Sequence, residues 1–327
     1  MARPVRVPTA CNRHKLHAGP EAAPYDRRRV GGLLYTNFFD QNFSSIVNGI
    51  ALGMLIFVLA IGLSLIFGLL DVINLAHGSL YLLGTYFGYQ LVERWNLPFI
   101  PAAAVVFAFG IGLGLVLAGF LRPIRGRDHL DQVLLTLGLF FIVQDLVTIL
   151  WGRDFHTITP PGFLLQSKVI FGHYYPSYRL AVIVVGVVIA VVTYLVFERT
   201  QLGAVLRAAV EDRAMVAALG YNVNLVMLSV LLAGAGLATF AGVIGGPIEQ
   251  VTPGIGNDVL LLALIVVVIG GLGSITGALV ASLIIGQVQS LGVALGQQHG
   301  LPQAAPFALF GTMALILIVR PAGLFGR

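Results

Sequence analysis

After residue 43 the chain is a near-continuous series of apolar stretches, and that pattern confines it to a helical membrane fold. The stretches run Ile46–Leu70, Leu75–Val92, Phe99–Leu121, Val133–Trp151, Leu180–Phe197, Val223–Ile244, Val259–Ile269, Ala278–Leu295 and Ala305–Val319. A helix needs about 20 apolar residues to cross a bilayer, and most of these stretches approach or exceed that. Val259–Ile269 has only about 11 and reads as a half-helix or re-entrant element. Composition agrees: 57% of the 327 residues are hydrophobic and only 10% charged, too few charges to cover a water-soluble surface of this size. The expected fold is an all-α polytopic membrane protein of eight or nine hydrophobic helical segments, some broken or re-entrant. Its 40 glycines fit helices that approach closely in lipid. The pairs Gly84/Gly88, Gly110/Gly114 and Gly242/Gly246, each spaced four apart, are candidate contact points.

Residues 1–43 differ from the rest. They carry Arg3, Arg6, Arg13, Lys15, Arg27, Arg28 and Arg29 with little apolar periodicity, which predicts a disordered basic tail. A translation start placed too far upstream would also give it. Residues 44–327 are expected to form a single transmembrane domain. The basic balance belongs largely to this tail and gives no reason to expect nucleic acid. A lone cysteine, Cys11, excludes an internal disulfide and any multi-cysteine metal site, and no metal is expected. Lys15 and Lys168 are the only lysines, and neither stands in a phosphate-binding G-x-x-x-x-G-K-[ST] loop. The chain therefore has no nucleotide-hydrolysing site of that type, and no catalytic residues are assigned.

Basic residues in short loops orient the spans. Arg122, Arg125, Arg127, Arg199, Arg207, Arg213, Arg320 and Arg327 fall on one side by alternation, read as cytoplasmic, against Arg94, Arg153, Lys168 and Arg179 on the other. Strict alternation then puts the basic tail outside, unless the tail is an artefact or one of the first two segments does not fully cross.

Three places interrupt the apolar pattern. In GLLDVINLAHGSLYLLGTY (Gly68–Tyr86), Asp71, Asn74 and His77 stand in an otherwise apolar run. Polar and ionisable groups within spans are costly and point to a pathway or partner. The alternative is a tight turn in which Asn74 caps the next helix and His77 is a hydrogen-bonded core residue. In GVIGGPIEQVTPGIG (Gly242–Gly256), Gly245, Gly246 and Pro247 cannot continue a regular helix comfortably, and Glu249 follows where a helix end meets water. In GGLGSITG (Gly270–Gly277), Gly271 and Ser274 follow the short element directly. Broken helices of this kind line cavities in transporters, although each could be an ordinary turn. The candidate translocation pathway is Asn74, His77, Gly78, Gly245, Gly246, Gly271 and Ser274.

One charged, helix-prone segment separates two spans: ERTQLGAVLRAAVEDRAMVAALGYN (Glu198–Asn222). It must lie in water. Its alanines favour a helix, and Gly220 suits a C-cap. A short helix with small residues on one side and charges on the other is a docking surface for a soluble partner. The residues expected to carry it are Gly203, Arg207, Ala208, Ala209, Glu211, Asp212, Ala217 and Gly220.

Three of these stretches together are similar to one family. INLAHGSLYLLGTY (Ile73–Tyr86) resembles the I-N-[FL]-A-H-G-x-x-Y-x-L-G-x-Y segment of branched-chain amino acid permeases of the LivH type. LGAVLRAAVEDRAMVAALGYNV (Leu202–Val223) resembles their signature loop, and VIGGLGSITGALVASLIIG (Val268–Gly286) a later glycine-rich segment. Ala204 and Arg213 depart from residues common in that loop, and Ala281–Ser282 replaces a glycine pair.

The resemblance spans about Phe43–Phe325 and implies the permease fold of an ABC importer, multi-pass in a bacterial inner membrane. It implies a pore shared with a second homologous permease, two cytoplasmic ATPases that bind ATP and Mg, a periplasmic binding protein, and no cofactor in this chain. Substrates would be leucine, isoleucine or valine. Permeases for urea and short amides share these motifs, and an ion-coupled secondary transporter using Asp71 and His77 is the rival from another class. The 198–222 segment becomes the coupling loop.

Overall fold

The computed structural model describes residues 38–70, 74–124, 128–170, 173–301 and 303–326. Readings placed on residues 1–37, Asp71, Arg125, Arg127 and Arg327 fall outside these. Eleven α-helices follow one another among the described residues: α1 (Phe38–Leu70), α2 (His77–Tyr89), α3 (Phe99–Leu121), α4 (His129–Trp151), α5 (Ser177–Arg199), α6 (Gln201–Glu211), α7 (Arg213–Ala218), α8 (Val223–Gly245), α9 (Ile255–Gly270), α10 (Ile275–Gln298) and α11 (Ala304–Val319). The chain is an all-α polytopic membrane protein, as its apolar pattern requires. Six of its helices are long and apolar enough to cross a membrane: α1 over 42–68, α3, α4, α5, α8 and α10. A small antiparallel hairpin, β1 (Ser167–Ile170) with β2 (His173–Pro176), is an addition that the apolar pattern did not announce. Helix α1 begins at Phe38, inside the stretch expected to be tail.

Helices α1 and α8 form the centre, and α3, α4, α5 and α10 leave most of their surface outward. The glycine-rich helices meet where side chains are absent. A Cβ on Gly84 of α2 would run into the Thr239 backbone of α8, and one on Gly242 of α8 into the Tyr81 carbonyl of α2. The Thr85 hydroxyl donates to the Tyr81 carbonyl (2.9 Å) and reaches the Gly242 carbonyl (3.2 Å) across that contact. Gly110 of α3 likewise meets Thr239, whose hydroxyl reaches the Val106 carbonyl at 3.2 Å. Close backbone approach and interhelical hydroxyl bonds replace the hydrophobic drive that lipid does not supply. The spacing-of-four glycines thus do lie at helix contacts.

Contacts also fix direction. Arg179 of α5 bonds Asn48 of α1, and Gly186 of α5 faces Met54, so α1 and α5 run parallel. Gly68 of α1 abuts Gly273, while Gly286 abuts Gly49, so α10 runs the other way. Leu324 N–H donates to the Ile269 carbonyl at 2.7 Å. Arg122, Arg199, Arg207, Arg213 and Arg320 therefore share one end with Gly68 and Gly273, as the arginine count predicts. Helix α1 starts at the opposite end.

The main departure concerns the re-entrant element. The second apolar stretch, expected to cross from Leu75 to Val92, is a 13-residue helix extended by a π-turn, Gln90–Arg94. His77, at its start, bonds the Leu59 carbonyl. Leu59 lies nine residues, about 14 Å at 1.5 Å per residue, from Gly68 at the arginine-rich end. So α2 begins near mid-depth. The element expected to be a half-helix, 259–269, is α9, 16 residues long and among the helices too short to be counted as spans. It starts at the same level, since Gly256 packs on Gly78. Two half-length helices therefore leave one mid-depth plane in opposite directions, because both segments carry glycine where their first turns touch.

Candidate functional site

The 198–222 segment, expected to couple through one helix, holds two, α6 and α7. The break is at Asp212, whose backbone is extended (φ −148°, ψ 99°) and whose carboxylate accepts the Met215 N–H at 2.9 Å, capping α7. An acidic N-cap there satisfies an orphan amide and suits the helix dipole. Gly220, at φ +88°, follows α7, and its N–H donates to the Ala217 carbonyl (3.0 Å), as the C-cap reading predicts. Thr200 caps α6 through the Gly203 N–H.

Not all the residues assigned to docking face outward. Gly203 packs on the Phe197 carbonyl, where any Cβ would clash. Arg207 donates to that same carbonyl and lies 3.5 Å from the Glu198 carboxylate. Ala209 and Leu206 are buried. These residues tie α6 to the end of α5. Ala208, Glu211, Asp212, Ala217 and Gly220 are exposed. Beside them stand exposed apolar side chains that the sequence reading did not single out: Leu202, Val210, Met215 and Leu219, the last 70% exposed. Together they give this loop an exposed apolar cluster.

The residues assigned to the pathway occupy three depths and do not converge. At mid-depth, Asn74 and His77 are fully buried. The Nε2 of His77 bonds the Leu59 carbonyl at 3.0 Å, which pins α2 to α1. Asn74 does not cap α2, whose cap position is Ala76, and both polar atoms of its amide lack a hydrogen-bond partner. A Cβ on Gly78 would lie 2.7 Å from the Gly256 carbonyl. At the arginine-rich end, Ser274 accepts the Gly277 N–H (3.0 Å) as the cap of α10, and Gly271 turns at φ +94° against Gly326. At the opposite end, Gly245 and Gly246 pack on Tyr81 and Ile158.

Just past those glycines the structure assembles something the sequence reading missed. A cavity of about 380 Å³ opens there, lined by Asn48 of α1, Arg179 of α5, Glu249 and Gln289. A second, of about 490 Å³, shares Glu249 and Gln289 and adds Asp258 of α9. Asn48 Oδ1 accepts from the Tyr175 hydroxyl (2.7 Å) and from Arg179, which orients the guanidinium. Glu249, expected at a helix end in water, is half-buried in the 246–254 connection. The Tyr81 hydroxyl faces it without closing a hydrogen bond of standard geometry. Burial, and next the charge of Asp258, push its carboxyl up to about 7, against a lowering by Tyr81. Asn48, Arg179, Glu249, Asp258 and Gln289 come from five elements, and no spacing in the sequence links them.

The family model for the branched-chain amino acid transport system / permease component matches residues 45–319. The high-affinity branched-chain amino acid transport system permease protein BraD of Pseudomonas aeruginosa is 28% identical over 86% of this chain and 95% of its own length. The corresponding LivH of Escherichia coli K12 is 29% identical over 89% of this chain and 96% of its own. Among solved structures, PsaBC from Streptococcus pneumoniae in complex with Fab covers 91% of this chain and 97% of its own at TM-score 0.48 and 14% identity. With the family model matching most of its length, the chain belongs to the branched-chain amino acid transport system permease family, as a multi-pass membrane protein.

Proposed function

We propose that this chain is one half of the pore of an ATP-driven importer for leucine, isoleucine and valine. Set in the inner membrane, it pairs with a second homologous permease, receives substrate from a periplasmic binding protein, and leaves ATP and Mg to two cytoplasmic ATPase subunits. It needs no cofactor of its own.

The observation that carries this reading is the α6–α7 pair. It stands at the arginine-rich end, presents Glu211, Asp212, Met215 and Leu219 outward, and is locked to α5 through Gly203 and Arg207. A surface that is exposed on one side and rigidly joined to a span on the other is what transmits a partner's motion. Closure of the ATPases would move α6–α7 with α5, and the mid-depth starts of α2 and α9 would supply the gate.

Replacement of an exposed acid by a base tests the docking. In the Glu211→Arg protein, leucine uptake should fall to background at unchanged membrane abundance, and the ATPase should no longer co-purify. Uptake at the wild-type rate with the ATPase retained would sink the coupling role.

A further inference from the structure

The cavity at the arginine-poor end is lined by one cation and one anion that stand apart from each other. Among the described residues neither Arg179 nor Glu249 takes part in an ion pair, and both line the same space. Arg179 has one hydrogen bond fixed on Asn48 and further donors to spare. Glu249 offers an acceptor carboxylate, and the Tyr81 hydroxyl facing it closes no hydrogen bond of standard geometry. Half-buried charges of opposite sign facing an empty space are costly unless an occupant matches both. Of the remaining wall, Leu52, Ile248 and Val293 form an apolar part, and Ser45, Ser290 and Gln297 a polar one. At about 380 Å³ the cavity falls in the size range of small-molecule sites.

We propose that this cavity is a substrate site of the permease itself, and that it takes a free α-amino acid with an aliphatic side chain. Arg179 holds the α-carboxylate, Glu249 holds the α-ammonium, and Leu52, Ile248 and Val293 receive the side chain. Gln289 and Glu249 also line the neighbouring cavity with Asp258, so an ammonium group released from Glu249 meets a second carboxylate next. A neutral solute such as urea or a sugar would leave both charges unmatched, so the site selects against it by the cost of those unpaired groups. The inference rests on the importer reading above and adds the cavity and the residues by which the membrane chain itself would hold that substrate.

The test uses the intact membrane assembly in lipid nanodiscs, without the binding protein, and radiolabelled leucine. Competitors are leucinamide, which lacks the carboxylate, 4-methylpentanoate, which lacks the ammonium, and urea. Each truncated ligand should bind roughly tenfold or more weakly than leucine, the size of one charge-assisted hydrogen bond, and urea should not compete. Arg179→Gln should close the gap between leucine and leucinamide while leaving that to 4-methylpentanoate, and Glu249→Gln should do the reverse. Equal binding of all three ligands by the wild type overturns the assignment, and this series decides the matter even where a variant fails to fold. Gaps that persist in both variants overturn it as well. Leucine uptake by the complete importer without leucine binding by the membrane assembly would overturn the site and leave the importer reading intact. A complete importer that moves none of the three amino acids would remove both.

Discussion

The two ends of this molecule are built by different rules. At the arginine-rich end, α6 and α7 are assembled from neighbours in sequence. Thr200 caps α6, Asp212 ends it and caps α7, and Gly220 closes α7. At the other end, the mouth draws Asn48, Arg179, Glu249 and Gln289 from positions up to about 240 residues apart. One end is a local device that could be read along the chain, and the other exists only once the helices have packed. Mutations should therefore act differently: at the coupling end they change one contact, and at the mouth they reach through the helix core.

The largest expected effect breaks that core. Gly84→Leu drives a side chain into the Thr239 backbone, against α8. Overpacking of a rigid contact costs about 1–3 kcal/mol and occasionally more. The yield of monodisperse protein on size exclusion should collapse, while the corresponding change at Gly112, where a Cβ meets nothing within 4 Å, should leave it intact. Equal yields would show that α2 and α8 are not held by this contact.

A smaller effect separates pinning from docking. His77→Ala removes the bond to the Leu59 carbonyl and leaves a fully buried void at the start of α2. Thermal unfolding in detergent should begin earlier, by the equivalent of about 2 kcal/mol for a lost buried hydrogen bond and its packing. Co-purification of the ATPase should be unchanged, since the coupling helices do not touch this residue.

Protonation of Glu249 offers a way to sharpen the contrast without mutation. Its carboxyl is raised to about 7, so above that pH it is charged and attracts an ammonium, and below it is neutral. Leucine binding to the membrane assembly should therefore weaken several-fold as the medium falls from about pH 8 to about pH 6. The titratable and charged groups around Glu249 are Tyr81 of α2, Asp258 of α9 and, across the cavity, Arg179 of α5. Glu249→Gln should flatten the profile. A wild-type profile that is already flat would remove Glu249 from ammonium binding.

The smallest effect is at the coupling end. Asp212→Ala loses the cap on the Met215 N–H, worth about 1 kcal/mol. Helix α7 should fray, seen as faster amide exchange over 213–218, with ATPase affinity reduced only several-fold. Exchange that does not change would mean that the break between α6 and α7 is held by packing of Val216 rather than by the cap.

Much of this architecture was legible along the chain because bilayer thickness and the backbone's need for internal hydrogen bonds leave few options. The apolar stretches, the arginine asymmetry and the capping glycine Gly220 all express that constraint locally. The depth of each element was not legible. Leu75–Val92 has the composition of a full span, yet α2 starts at mid-depth because His77 reaches Leu59 and Gly78 admits Gly256. The single break at Asp212 inside the coupling segment was hidden for a similar reason, since an Asp can end one helix, begin another or sit exposed on either.

What the sequence determined by itself is therefore a multi-pass helical protein with one exposed, helix-prone loop. Hydropathy, charge and helix propensity act over a few turns and leave their mark in consecutive residues. Only the tertiary structure decided that Arg179 and Glu249 share a cavity, that Asn74 stays buried without a partner, and that Arg207 faces inward to α5. Those outcomes depend on the distances between helices, which glycine–backbone contacts set and which no single stretch of chain encodes.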